Sequence, residues 1–161
     1  MSHSVNSYLL VKIIHIISST ILFGTGLGIA FFMYRSKFTD DLHEKYYAVR
    51  TTVLADFVFT FPSVIIQPLT GFWLVWHMGY AWDAPWLVAT YMLYVLAGVC
   101  WLPVVWIQIT LSYMLKVSIQ NGSQLPERYH RLFRIWFILG WPAFLSLVVI
   151  FYLMVTKQIP F

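Results

Sequence analysis

Charged side chains are scarce in this chain. They make up 10% of its 161 residues, whereas roughly a quarter of the residues in a soluble domain are charged. So few polar groups cannot cover a water-facing surface when 60% of the residues are hydrophobic. The composition therefore predicts an integral membrane protein with the lipid bilayer as its solvent. The net charge of +4 lies in the segments that flank long apolar runs, so it does not indicate a nucleic-acid partner.

Several catalytic and redox motifs are missing as well. The single cysteine, Cys100, cannot form an intrachain disulfide. There is no nucleophile–base pair, metal-protease motif or phosphate loop, which disfavours hydrolases and kinases. Gly24, Gly26 and Gly28 follow no strand, so they do not form a dinucleotide loop. Gly24 and Gly28 instead form a small-xxx-small pair, which predicts a helix-packing surface.

Long apolar runs are what the sequence has in abundance. About 20 consecutive apolar residues cross the hydrocarbon core of a bilayer. Four segments meet that length, at residues 8–33, 53–76, 86–115 and 135–155. The predicted fold is all-α, a four-helix transmembrane bundle that forms one domain over residues 1–161.

Basic residues predict the orientation of these spans. They flank the first and third connections, at Arg35, Lys37, Lys45, Arg50, Lys116, Arg128, Arg131 and Arg134. The second connection, "HMGYAWDAP", has neither lysine nor arginine. Because cytoplasmic loops carry the excess of basic residues, both termini are predicted on the outer side of the membrane.

The second span carries a polar face. Its members recur every three, four or seven residues: Asp56, Thr60, Ser63, Gln67, Thr70 and His77. The third span repeats the pattern less strongly, at Tyr91, Tyr94, Gly98, Trp101, Gln108 and Ser112. Polar groups at membrane depth usually face the bundle interior and often mark function. Two readings stay open: a seam of interhelical hydrogen bonds, worth about 0.6 kcal/mol each, or the wall of a ligand cavity.

Two charged residues each have two interpretations. Asp56 either lines the cavity or forms a structural ion pair with Arg50, Arg131 or Arg134. Lys12 either extends outward to the lipid headgroups or pairs with an anionic group, such as a propionate, beside His15.

His15 and His77 are both predicted in the outer half of the bundle. Paired imidazoles on facing helices are one way of holding haem iron. We therefore predict a haem b site with His15 and His77 as iron ligands and with Lys12, Gln67 and Trp101 in the pocket. The other interpretation of His77 is an interfacial residue without a ligand role.

The sequence also resembles a known family. The stretches "LLVKIIHIISSTILFGTGLG", "DFVFTFPSVIIQPLTGFWLV" and "YHRLFRIWFILGWPAF" are similar to bacterial membrane proteins of the DUF2269 family, over nearly the whole chain. This resemblance implies a bacterial inner membrane, with both termini on its periplasmic side. More distantly, the topology resembles HemJ-type protoporphyrinogen oxidases and CopD-type copper-resistance proteins. In the HemJ group a histidine in the first span is associated with haem, and His15 occupies the corresponding place. Thr90 stands where that group has a lysine, which disfavours porphyrinogen oxidation.

Three functions follow from these patterns. The first is a haem-dependent oxidoreductase with a quinone or a porphyrin as its small-molecule partner. The second is a transporter or metal-handling module along the polar face, although the chain lacks the soft-ligand clusters that bind Cu(I). The third is a non-catalytic assembly subunit. A homo-oligomer is compatible with all three.

Overall fold

The computed structural model describes residues 2–158, with side chains from residue 6 onward. The described chain is helical apart from short connections. A 3-10 turn at Ser36–Phe38 follows the first helix, and a π-helical turn at Asp56–Thr60 joins the second helix to the third. The helices are α1 (Ser2–Arg35), α2 (Leu42–Ala55), α3 (Phe61–Met78), α4 (Pro85–Asn121) and α5 (Glu127–Thr156).

Because the π turn links α2 to α3 without a break, the described chain has four helical runs long and apolar enough to cross a membrane. This confirms the predicted all-α architecture with four spans. Each predicted span lies within one run, and the helices extend beyond the spans. We call the end with the connections at residues 36–41 and 122–126, which the basic residues flank, the basic end. The end with residues 79–84, the start of α1 and the end of α5 is called the terminal end.

Local chemistry sets where the helices begin and end. At the start of α2, the Asp41 carboxylate accepts a 2.7 Å hydrogen bond from the backbone N–H of His43, which satisfies a donor that the helix leaves free. Gly79 and Gly122 follow α3 and α4 with φ angles of 67° and 60°. Glycine adopts this left-handed conformation without a side-chain clash, so it ends both helices.

The helices form two pairs. α1 packs along α3, and α4 packs along α5 as the most extensive contact in the described chain. The pairs meet mainly at the basic end, where α2 packs against α4. The hydrophobic core lies there and is formed by Ile29, Met33, Val49, Val104, Ile107, Leu111, Leu115, Tyr129, Leu132, Phe133 and Trp136. The contact between α3 and α4 is much smaller, which leaves space between the pairs.

The outer surface is covered by large apolar side chains. Met92, Trp76 and Leu69 are each about two-thirds exposed, at 69%, 68% and 65%. A soluble monomer rarely exposes contiguous apolar surface on this scale. Together with the four apolar runs, this surface makes the chain a multi-pass integral membrane protein.

Candidate ligand cavity

A cavity of about 290 Å³ lies between the two helix pairs. Gly26, Gly98 and Gly140 line it from α1, α4 and α5, and a Cβ atom added to any of them would meet no heavy atom within 4 Å. These glycines therefore leave open volume. An added Cβ at Gly24 or Gly28 also meets no atom within 4 Å. Within the described residues, therefore, no helix packs closely on this small-xxx-small pair. The large side chains around the cavity are Leu22, Phe23, Tyr94, Trp101, Trp136, Phe137, Trp141 and Phe144.

One end of the cavity is polar. The indole N–H of Trp101 donates to Asp56 Oδ1 over 3.2 Å. With its amide oriented to satisfy both neighbours, Gln108 donates to Asp56 Oδ2 at 2.6 Å and accepts from Trp136 Nε1 at 3.2 Å. Asp56 is 3% exposed and Gln108 is fully buried. A chain of hydrogen bonds thus links α4 and α5 to the π turn.

The partners of Asp56 differ from the predicted arginine. The groups that surround its carboxyl are the neutral side chains of Trp101, Gln108 and Thr60. The three predicted partners, Arg50, Arg131 and Arg134, are exposed instead. The structural ion pair is therefore wrong for the described residues, because the carboxyl group faces the interior while the arginines face outward.

The π turn explains how Asp56 and Thr60 reach the cavity together. Pro62 lacks an N–H and its ring crowds the carbonyl four residues earlier, which disfavours an ordinary α-helical turn. The helix widens instead, and the Phe61 N–H donates to the Asp56 carbonyl five residues earlier. Such widened turns are often found at functional sites. Asp56 and Thr60 are both buried and both line the cavity.

A second proline ties α3 to α4. Pro68 cannot donate to the carbonyl of Val64, four residues earlier. The Tyr94 hydroxyl donates to that carbonyl at 2.6 Å. Val64 and Tyr94 both line the cavity, so the bond holds its two walls together where the helices otherwise have little contact.

His15 lies in a different polar cluster, between α1 and α3. Its Nδ1 is 2.8 Å from the Thr70 hydroxyl. Because Thr70 Oγ1 donates to the Ile66 carbonyl at 2.7 Å, we assign the proton of the shared bond to His15 Nδ1. The Gln67 amide donates to the His15 carbonyl at 2.7 Å and also to the Ser18 hydroxyl. The structure thus brings together His15, Gln67 and Thr70, as an interhelical seam.

His77 belongs to an aromatic stack near the terminal end. Its ring stacks on Trp73, with centroids 4.7 Å apart, and on Tyr8, with centroids 5.7 Å apart. Lys12 Nζ lies 5.5 Å from the centroid of the Tyr8 ring. The lysine therefore extends toward the terminal end, as expected for a side chain that reaches the headgroups.

The two histidines are separated in depth. His15 contacts Thr70, and His77 lies seven residues after Thr70 on the same helix. At 1.5 Å per residue this corresponds to about 10 Å along the helix axis. The two rings belong to separate clusters, His15 with Thr70 and His77 with Trp73 and Tyr8, so the structure does not bring them together around one iron atom. His15 Nδ1 is held by a hydrogen bond, as in metal-binding histidines, and haem binding at His15 stays a prediction.

The predicted polar face divides between these places. Asp56 and Thr60 line the cavity, Gln67 and Thr70 contact α1, Ser63 is buried, and His77 is exposed at the helix end. Trp101 lies at the polar end of the cavity, away from His15.

Trp136 was not among the predicted site residues, and Thr90 was discussed only through the family resemblance. The only feature that could have indicated a role for Trp136 is that the N–H of a buried indole needs a hydrogen-bond acceptor. The Thr90 hydroxyl bonds to the carbonyl of Trp86 in its own helix, at 2.8 Å.

The chain matches one known protein family along most of its length. The family model DUF2269, described as a predicted integral membrane protein, matches residues 9–158. The chain belongs to the DUF2269 family. No curated protein and no solved structure matches it. Family membership supports the membrane assignment, and the more distant resemblance to HemJ-type and CopD-type proteins stays a prediction.

Proposed function

We propose that this DUF2269 protein binds a flat lipophilic molecule that enters from the bilayer into the cavity between the helix pairs. The observation that carries the proposal is the cavity itself, with aromatic and aliphatic walls and one polar end at Asp56 and Gln108. Mostly apolar pockets with a few placed polar groups are typical of small-molecule sites.

The aromatic residues that line the cavity support a ligand with a flat ring. Aromatic side chains favour stacked or edge-on contacts with other rings, and Trp101, Phe137 and Trp141 are among the residues that line the cavity. A quinone or a porphyrin has this character. The basic segments at the end with residues 36–41 and 122–126 support an orientation with that end in the cytoplasm and both termini in the periplasm of a bacterial inner membrane.

Filling the cavity should abolish ligand retention. We expect the Gly98→Leu protein to lose a small molecule that co-purifies with the wild type in mild detergent. The new side chain starts in open space, so the fold tolerates it while the volume is lost. Organic extraction followed by mass spectrometry measures the ligand.

The matched control for that measurement is Gly24→Leu, which places the same side chain at an exposed position on α1 that does not line the cavity. This variant should retain the ligand. Equal retention by wild type, Gly98→Leu and Gly24→Leu would contradict the proposal.

A haem-binding redox role is the second candidate, and the environment of His15 favours it. The Thr70 hydroxyl holds His15 Nδ1, which leaves Nε2 as the nitrogen that would bind iron. Bound haem would supply one-electron chemistry. An absorbance spectrum of the purified protein tests this role: a Soret band that His15→Ala removes and His77→Ala preserves is expected, and a spectrum without that band contradicts it.

A further inference from the structure

The carboxyl group of Asp56 is the chemically unusual feature of the cavity. It is buried at the depth of a membrane span. Its described neighbours are neutral: Trp101 and Gln108 donate to it, and the Thr60 hydroxyl lies beside it. A buried carboxylate is expensive unless an opposite charge and hydrogen bonds compensate it. The described residues supply the hydrogen bonds and no cation.

The walls beside Asp56 are suited to a cation. Trp101 and Trp136 meet the polar end with their indole N–H edges. Tyr94, Phe137 and Trp141 are further aromatic residues of the lining, and their rings are the candidates for contact with an ammonium group. The faces of aromatic rings carry partial negative charge and attract ammonium groups, most strongly where water is excluded. A buried carboxylate in a cavity lined by aromatic rings therefore favours a positively charged ligand over a neutral or an anionic one.

Thr60 adds an independent observation. It is 5% exposed, lines the cavity and faces Asp56. Its hydroxyl makes no hydrogen bond of acceptable geometry within residues 6–158. Buried polar groups in native proteins nearly always have a partner. A ligand N–H beside Asp56 would give Thr60 one.

We propose that the cavity selects a lipophilic organic cation whose protonated amine donates to Asp56 and whose flat ring lies among the aromatic walls. This inference rests on the proposed function and names the class of its ligand. Asp56 recognises the charge, Thr60 accepts from the same ammonium group, and the glycines of α1, α4 and α5 make room for the ring.

The test uses three probes that share one ring: naphthylethylamine, naphthylethanol and naphthaleneacetate, which are cationic, neutral and anionic at neutral pH. Binding to the full-length protein in nanodiscs is followed by tryptophan fluorescence. The wild type should bind the amine about tenfold or more tighter than the alcohol, since hydrogen bonds to charged groups are the stronger ones. Asp56→Asn should remove that difference and leave binding of the alcohol unchanged.

Asp83→Asn is the matched control, because Asp83 is an exposed carboxylate in the connection before α4, and it should preserve the preference for the amine. Equal binding of amine and alcohol to the wild type would overturn the inference and leave the proposed function standing. Retention of the preference in Asp56→Asn would also overturn it. Failure of all three probes to bind the wild type, together with ligand retention by Gly98→Leu, would overturn the proposed function as well.

Discussion

Replacing Gln108 by leucine is expected to lower the free energy of unfolding by about 3 kcal/mol, since a buried polar group left without its partner costs about 1–3 kcal/mol. The substitution affects two such groups, because Asp56 loses a donor and Trp136 loses its acceptor. Leucine fills most of the same volume, so the effect reports the hydrogen bonds. Denaturant unfolding in mixed micelles, followed by circular dichroism, measures it.

Gln120→Leu is the control for that change, because Gln120 is an exposed glutamine on the same helix. We expect its effect to stay within about 0.5 kcal/mol, as for surface substitutions in general. In the Gln108→Leu background, Trp136→Phe should cost less than it does in the wild type, since the indole N–H has already lost its acceptor. Equal effects of Gln108→Leu and Gln120→Leu would contradict the hydrogen-bond chain.

Gly71→Val should destabilise the protein by about 2–3 kcal/mol, in the range of overpacking a close contact and losing an interhelical hydrogen bond. A Cβ atom at this position would lie 3.3 Å from His15 Cε1, and valine adds two methyl groups beyond it. The imidazole must then move away from Thr70, which opens the seam between α1 and α3. The same unfolding measurement detects the loss.

Gly24→Val provides the comparison, because an added Cβ there meets no atom within 4 Å and stability should stay near that of the wild type. If crowding of the imidazole is the cause, His15→Ala should reduce the effect of Gly71→Val. An unchanged effect in the His15→Ala background would show that another contact is responsible.

The spans were predictable from the sequence because length and apolar content are what the bilayer requires. Each of the four predicted segments lies within a helical run. The helices extend further at the basic end, where α2 begins at Leu42 and α5 at Glu127. Those added turns are less apolar than the spans. They are stabilised by packing into the hydrophobic core and not by contact with lipid.

The polar face was predictable as a pattern, but its partners were not. Regular spacing placed Asp56 and Gln67 on one side of an ideal helix. The π turn at Asp56–Thr60 interrupts that regularity. Asp56 consequently faces α4 and α5, whereas Gln67 faces α1. A local change from α-helix to π-helix depends on the prolines together with their surroundings. The spacing of polar residues on an ideal α-helix does not predict such a change.

The contacts of the histidines show a second limit of sequence reasoning. Both were predicted in the outer half, with His15 about 10 Å below the outer start of its span, and they were expected to approach. The contacts with Thr70 and Tyr8 place His15 two helical turns deeper than His77, which agrees with that depth. The neighbours that each ring contacts depend on how the helices pack, and the positions of the spans do not give them.

Photolabelling tests the central claim most directly, because it reports where the ligand lies. An aryl-azide derivative of naphthylethylamine is irradiated with the protein in nanodiscs, and labelled peptides are identified by mass spectrometry. The account predicts labels at Trp101, Phe137 and Trp141, which excess unlabelled amine suppresses. Labels confined to lipid-facing residues such as Phe57 and Met92, and insensitive to competition, would contradict it.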